Sequence, residues 1–224
     1  MLPFLEDGTL YDVLDFRTAD ANWYIDCDHH HVFQQRIELF LCPSDPQDEP
    51  IAWGTNICPD GKAKWDFYMT NIGGVADTRM AWTDDGRWEC PIAIGDGALV
   101  NRKEYRVKDY LDGTSKTLFL GEITGGAPES KEGYTWVQFN LFDTSQGING
   151  PNTIPGEGTF IPFLADGKKS FSGYHPDGCH FAFVDGSAHF LAQDIDAAAL
   201  RSLTTRRGVS RDDKTDVFVD SEAY

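Results

Sequence analysis

Long apolar runs are missing from this 224-residue chain: nothing approaches the roughly 18 to 20 residues that cross a bilayer as a helix. The opening Met1-Leu2-Pro3-Phe4-Leu5-Glu6 has neither the basic flank nor the apolar segment of a secretory signal. The chain as given is therefore expected to be soluble. Basic residues are scarce, with 19 Lys and Arg against 36 Asp and Glu and a net charge of −17. Such a surface repels phosphate backbones and anionic headgroups, which excludes nucleic acid as the expected partner and favours divalent cations. The five cysteines (Cys27, Cys42, Cys58, Cys90 and Cys179) are too widely separated for a zinc ribbon or a CxxC redox motif. Two readings stay open for them: buried reduced thiols, or one or two disulfides with at least one cysteine left over. A Gly-x-Ser-x-Gly elbow, a Walker loop, a dinucleotide fingerprint and an EF-hand loop are also missing.

What is present favours a packed, strand-rich domain. The 15 Phe, 6 Trp and 8 Tyr rule out whole-chain disorder, and 22 Gly with 11 Pro point away from a helix bundle. No repeat and no clear linker divides residues 1–224, so one domain with long loop insertions and a tail at 209–224 is expected. Apolar spacing predicts a short helix over 9–16, and alternation predicts strands over 36–41, 65–69, 117–120 and 134–141. The tail residues 215–219 could add one more strand. Asp185-Gly186, between His180-Phe181-Ala182-Phe183-Val184 and Ser187-Ala188-His189-Phe190-Leu191, is a strong hairpin signal. A two-residue turn there would put Phe181, Phe183, Ala188 and Phe190 on one face, expected to be the core face. A helix over 196–207 should follow, with Asp196 as N-cap and Arg201, Arg206 and Arg207 near its negative end. The fold class expected is α+β, mainly antiparallel, with short helices.

All six histidines fall in two groups. Asp26-Cys27-Asp28-His29-His30-His31 suggests metal, because extended chain would put His29 and His31 on one side with Asp26 or Asp28 nearby. The alternative is a solvated polar loop. In the second group His180 and His189 lie diagonally across the predicted hairpin, about 7–8 Å apart, where a shared ion could bridge them. A hydrogen-bonded surface pair is the alternative. Asp112-Gly113-Thr114-Ser115 could hold calcium, or Asp112 could close an Asx-turn on its own backbone. His175 and Asp185 could form a dyad, but no nucleophile accompanies them. The structural alternative has the imidazole locking loop 172–179 against the hairpin. No cofactor is required by any of these readings; calcium and zinc are the candidate ions.

Several separated blocks converge on one family. His175, nine residues and then Asp185-Gly186 resembles the C-terminal signature of the pilin-like H-x9-DG family, also described as bacterial extracellular solute-binding family 10 and as a domain of unknown function. Cys42-Pro43-Ser44-Asp45 is similar to its Cys-Pro-Ser-Asp block, and Asp112-Gly113-Thr114-Ser115-Lys116-Thr117 with Gly121-Glu122 to another. Thr144-Ser145-Gln146-Gly147 and Leu2-Pro3-Phe4-Leu5-Glu6 resemble two further blocks. The resemblance implies a pseudopilin-like globular head lacking the N-terminal prepilin helix, through which alone it would meet a membrane. It implies structural roles for Cys42, Asp45, Asp112, Gly113, Glu122, His175, Asp185 and Gly186, and supplies no catalytic residue. The expected function is a non-enzymatic, exported envelope or surface subunit, located outside the cytoplasm and partnered by pilin-like subunits or secretion components. The alternatives are a small-solute or glycan-binding module using Trp and Tyr as stacking platforms, and a metal-dependent hydrolase.

Overall fold

A computed structural model describes residues 8–13, 35–46, 51–53, 65–78, 95–100, 103–124, 135–136, 141–150 and 171–208. Among them, a five-stranded mixed sheet carries the architecture. Its strands are β3 (Ile72–Asp77), β4 (Leu118–Glu122), β5 (Leu141–Asp143), β6 (Gly178–Phe183) and β7 (Ala188–Ala192), in the order β5-β3-β4-β6-β7. All neighbours pair antiparallel except β3 and β5, which run parallel. A separate antiparallel pair joins β1 (Ile51–Trp53) to β2 (Trp65–Phe67). The helices are α1 (Gly8–Val13) and α2 (Ala197–Thr204). The α+β, mainly antiparallel class read from the sequence is the observed one. Among the described residues no helix is long and apolar enough to cross a membrane.

The core lies on one face of this sheet. Phe142, Phe171, Phe181 and Phe183 are fully buried there with Leu118 and Val75, and Leu200 and Leu203 of α2 pack against them. Three of the rings form a tilted series, 5.6 Å between Phe142 and Phe171 and 5.0 Å between Phe171 and Phe181. The series lies over Gly73 and Gly121, which are direct cross-strand partners. A Cβ on Gly121 would come within 2.5 Å of both Phe171 and Phe181, and one on Gly73 within 2.6 Å of Phe142. Two paired glycines on neighbouring strands therefore make the floor on which the aromatic cluster sits.

The hairpin forms, but one residue out of the predicted register. Phe183 N–H donates to Ser187 O and Gly186 N–H to Phe183 O, which closes a three-residue loop over 184–186 with Gly186 at φ +88°. That is the bulged three-residue turn, in which one residue takes the left-handed conformation. Phe181 now faces His189, and His180 faces Phe190. A one-residue slip exchanges the two faces of a strand, so Phe181 and Phe183 are buried while Ala188 and Phe190 are exposed, Phe190 by 45%.

One other expectation is corrected. Residues 36–41 do not form a strand: Glu38–Phe40 is a 3-10 turn that buries Ile37 and Phe40 and leaves Leu39 64% exposed. The buried positions are three apart, the period of a 3-10 turn and not of a strand. Arg206 lies two residues past the end of α2, near its negative end as expected. It is buried over the Tyr105 ring at 4.2 Å, with one guanidinium nitrogen donating to Gly95 O and Gly97 O. The Asp196 cap is as expected, its carboxylate accepting from Ala198 and Ala199 N–H. Of the predicted 134–141 strand, residues 134 and 137–140 lie outside the described residues, as does all of 215–219.

Candidate functional site

Buried Asn71, immediately before β3, organises one end of the sheet. Its side-chain nitrogen donates to Asp45 Oδ2 at 2.7 Å and Ile123 O at 3.0 Å, and its side-chain oxygen accepts from Cys42 N–H at 2.8 Å. Its main chain bonds Phe40 O and Ile123 N–H. Every polar atom of the residue is thus engaged, and together they tie segment 40–45 to the end of β4. That segment is itself a tight turn: Asp45 N–H donates to Cys42 O, with Pro43 at the position where its fixed φ is favourable. The Cys-Pro-Ser-Asp block is the turn that aims the Cys42 thiol across the sheet edge.

Glu122, the last residue of β4, sits beside Cys42 and pairs across the sheet with Ile72. One carboxylate oxygen, Oε2, accepts from His180 N–H at 2.6 Å and lies 3.3 Å from His180 Nδ1. The other, Oε1, lies 3.2 Å from His175 Nε2. His175 precedes a turn in which Asp177 takes φ +64°, and that turn returns the chain into β6. The His175 ring stands edge-on to His180 at 4.9 Å, and His180 in turn to Phe190 at 5.2 Å. Cys42 Sγ completes the group at 3.8 Å from His175 Nε2. The ligand-capable atoms of Cys42, Glu122 and His175 all lie within 4.8 Å of one another.

Two neighbours set the electrostatics. Cys179 is fully buried, and burial first and the Glu122 charge second push its thiol well above the ordinary range. Tyr174 is pushed up to about 12, mainly by burial and then by Asp45. Cys42 and Cys179 are both free thiols. Cys27, Cys58 and Cys90 lie outside the described residues, as do Asp28, His29 and His31.

The group does not match a thiol–imidazole–carboxylate relay. Such a relay needs the thiol on one ring nitrogen and the carboxylate on the other, so that a proton can pass to the ring while the carboxylate steadies it. Here Cys42 and Glu122 both meet the same nitrogen, Nε2. Three potential ligand atoms converging on one point suit coordination better than proton relay.

The other candidate residues are dispersed. His189 falls on the opposite face of the hairpin from His180, its ring edge-on to Phe183 at 5.2 Å, so the two cannot share an ion. His175 and Asp185 do not meet: they lie at opposite ends of β6, and Asp185 instead accepts from Ser187 N–H and hydroxyl. The hydroxyl and main-chain bonds from Ser187 hold the Asp185 carboxyl below its ordinary range. Asp112 closes no turn on itself; its Oδ2 accepts from the Thr205 hydroxyl and Gly208 N–H, tying its loop to the end of α2. Gly113 takes φ +98° beside it, and its carbonyl accepts from the Thr117 hydroxyl. The hairpin tip docks on the same loop, through Val184 N–H to Thr117 O and Asp185 N–H to Thr114 O.

The sequence had singled out Cys42, Glu122 and His175 only as separate block residues. With Cys42 and His175 133 positions apart and Glu122 and His175 53 apart, no local spacing pointed to their meeting. Asn71, the organiser, carried no signal at all. A family model described as "Protein of unknown function (DUF1559)", SBP_bac_10, matches residues 1–198. The chain belongs to that family. Within its matched region lie both ends of the sheet just described, the Cys42 cluster and the Asp112 loop. Neither the curated proteins nor the solved structures include a significant match.

Proposed function

We propose that this DUF1559 chain is the globular head of a non-enzymatic, exported, pilin-like envelope or surface subunit. The observation that carries the reading is how its block residues are used. Asp45, Asp112, Asp185, Gly113 and Gly186 all shape turns or bond one loop to another, and the turns they make fasten segments far apart in sequence. A head held together by such cross-links suits display and assembly, where shape must persist outside the cytoplasm. The acidic balance, with net charge −17, favours a soluble outward-facing surface over one that binds nucleic acid. The glycan-binding alternative draws less support. Trp136 is half-buried with its ring N–H donating to Gln35 O, and among the residues whose burial is described the exposed large aromatics are Tyr11 and Phe190.

The test is fractionation of the protein from its native cells, with surface protease accessibility and cross-linking. The subunit reading expects the protein in the envelope or outside it, accessible to protease and cross-linked to pilin-like partners. A protein that stays cytosolic and uncross-linked sinks the reading.

A further inference from the structure

We propose that Cys42, Glu122 and His175 form a binding site for a single thiophilic divalent cation, with zinc as the first choice. The inference does not depend on where the protein is exported. Its basis is distance, convergence and support.

In a tetrahedral zinc site, bonds of about 2.3 Å to sulfur and about 2.0–2.1 Å to nitrogen or oxygen place S and N about 3.6 Å apart and N and O about 3.3 Å apart. Cys42 Sγ and His175 Nε2 are 3.8 Å apart, and His175 Nε2 and Glu122 Oε1 are 3.2 Å apart. Two of the three separations thus match such a site, and all three atoms lie within 4.8 Å of one another. The donor set of one thiolate, one imidazole and one carboxylate suits zinc, cobalt or nickel, and a thiolate disfavours calcium and magnesium.

The ligands are also held in place by their surroundings. The second oxygen of Glu122, Oε2, is fixed by His180 N–H, which leaves Oε1 to point at His175. Cys42 is fixed through its own N–H by Asn71, and Asn71 is buried with all its polar atoms engaged. Outer hydrogen bonds of this kind orient ligands and sharpen affinity. The side chains of His175 and Glu122 remain 26% and 21% exposed, which gives an ion a way in and a fourth position open to water or to a partner's ligand. Cys179 is no competitor: it is fully buried.

The test is cobalt and zinc titration of the full chain after treatment with a chelator. A triple substitution, His29→Gln, His30→Gln and His31→Gln, serves as the background, since that run could take up metal by itself. The expected result is one cobalt per chain, with a thiolate-to-cobalt charge-transfer band and the intense visible bands of a tetrahedral site. Cys42→Ser should abolish the charge-transfer band. His175→Gln and Glu122→Gln should each weaken binding at least as much as the about 10- to 100-fold that loss of an outer partner costs a metal site. Zinc should raise the unfolding temperature of the background chain and not of these variants. Circular dichroism of the metal-free variants checks that they fold, and Cys42→Ala replaces Cys42→Ser if the serine variant does not. No charge-transfer band, or a band that survives loss of the Cys42 thiol in a folded chain, overturns the proposal. So does an equal zinc-induced shift in background and variants.

Discussion

The two ends of the central strands are fastened by the same means and end in different chemistry. At the Asp112 end, donors meet acceptors: a carboxylate takes a hydroxyl and an N–H, a threonine hydroxyl takes a carbonyl, and Arg206 takes two carbonyls while stacked on Tyr105. At the Asn71 end the frame is equally well bonded, yet it delivers three side-chain atoms, S, N and O, to one point. The contacts at the Asp112 end bond one loop to another, although Arg206 Nε and the Tyr105 hydroxyl are buried there without a hydrogen-bond partner among the described residues. A cluster in which a thiol and a carboxylate share one imidazole nitrogen is built differently, and it is there that function is best sought.

Substitutions can break that contrast, and the largest effect should come from what both ends share. Phe183→Ala empties the buried aromatic face beneath the hairpin and should cost about 3–5 kcal/mol by denaturant unfolding. A loss near that of an exposed position such as Phe190→Ala would show the core face to be misassigned. Asn71→Ala comes next. It strands the Cys42 N–H and the Ile123 carbonyl and should cost about 2–4 kcal/mol. It should also weaken cobalt binding at Cys42, whereas Arg206→Met, about 2 kcal/mol from its lost charged hydrogen bonds, should leave cobalt binding unchanged. Equal effects of the two on the metal would erase the distinction between the ends.

The smallest effect concerns pH. The folded Asp185 carboxyl is held below its ordinary range by Ser187. A depressed acid adds stability that is present above its unfolded pKa and lost as pH falls through the folded one, so the contribution fades only in acid. Carboxyl NMR should find Asp185 titrating low, and Ser187→Ala should return it towards the ordinary value. No movement in that variant would remove Ser187 as the cause.

Local signals in the sequence were legible and long-range ones were not. The Asp196 cap, the β4 strand and the existence of the hairpin all follow from neighbouring residues. The hairpin's register did not, because Asp185-Gly186 serves a two-residue and a three-residue turn alike, and only docking of Val184 and Asp185 onto 114–117 selects the latter. Over 36–41 an alternating pattern also contained a pair three apart, Ile37 and Phe40, and packing chose that pair. The Cys42 cluster could not be read at all, since its members meet only once β3, β4 and β6 are side by side.

That dependence has a kinetic side. Of the pairings in the five-stranded sheet, only β6 with β7 joins neighbouring segments; β4 must find partners that lie far away along the chain in both directions. Closing such loops is slow, and it leaves β4 with bare edges until late. Synthesis releases Cys42 long before His175, so the thiol meets solvent and other chains first, while its resting place does not yet exist. Folding of this protein should therefore be slow and oxidation-sensitive at first, with the reducing state of its surroundings during that interval deciding how much of it reaches the native sheet.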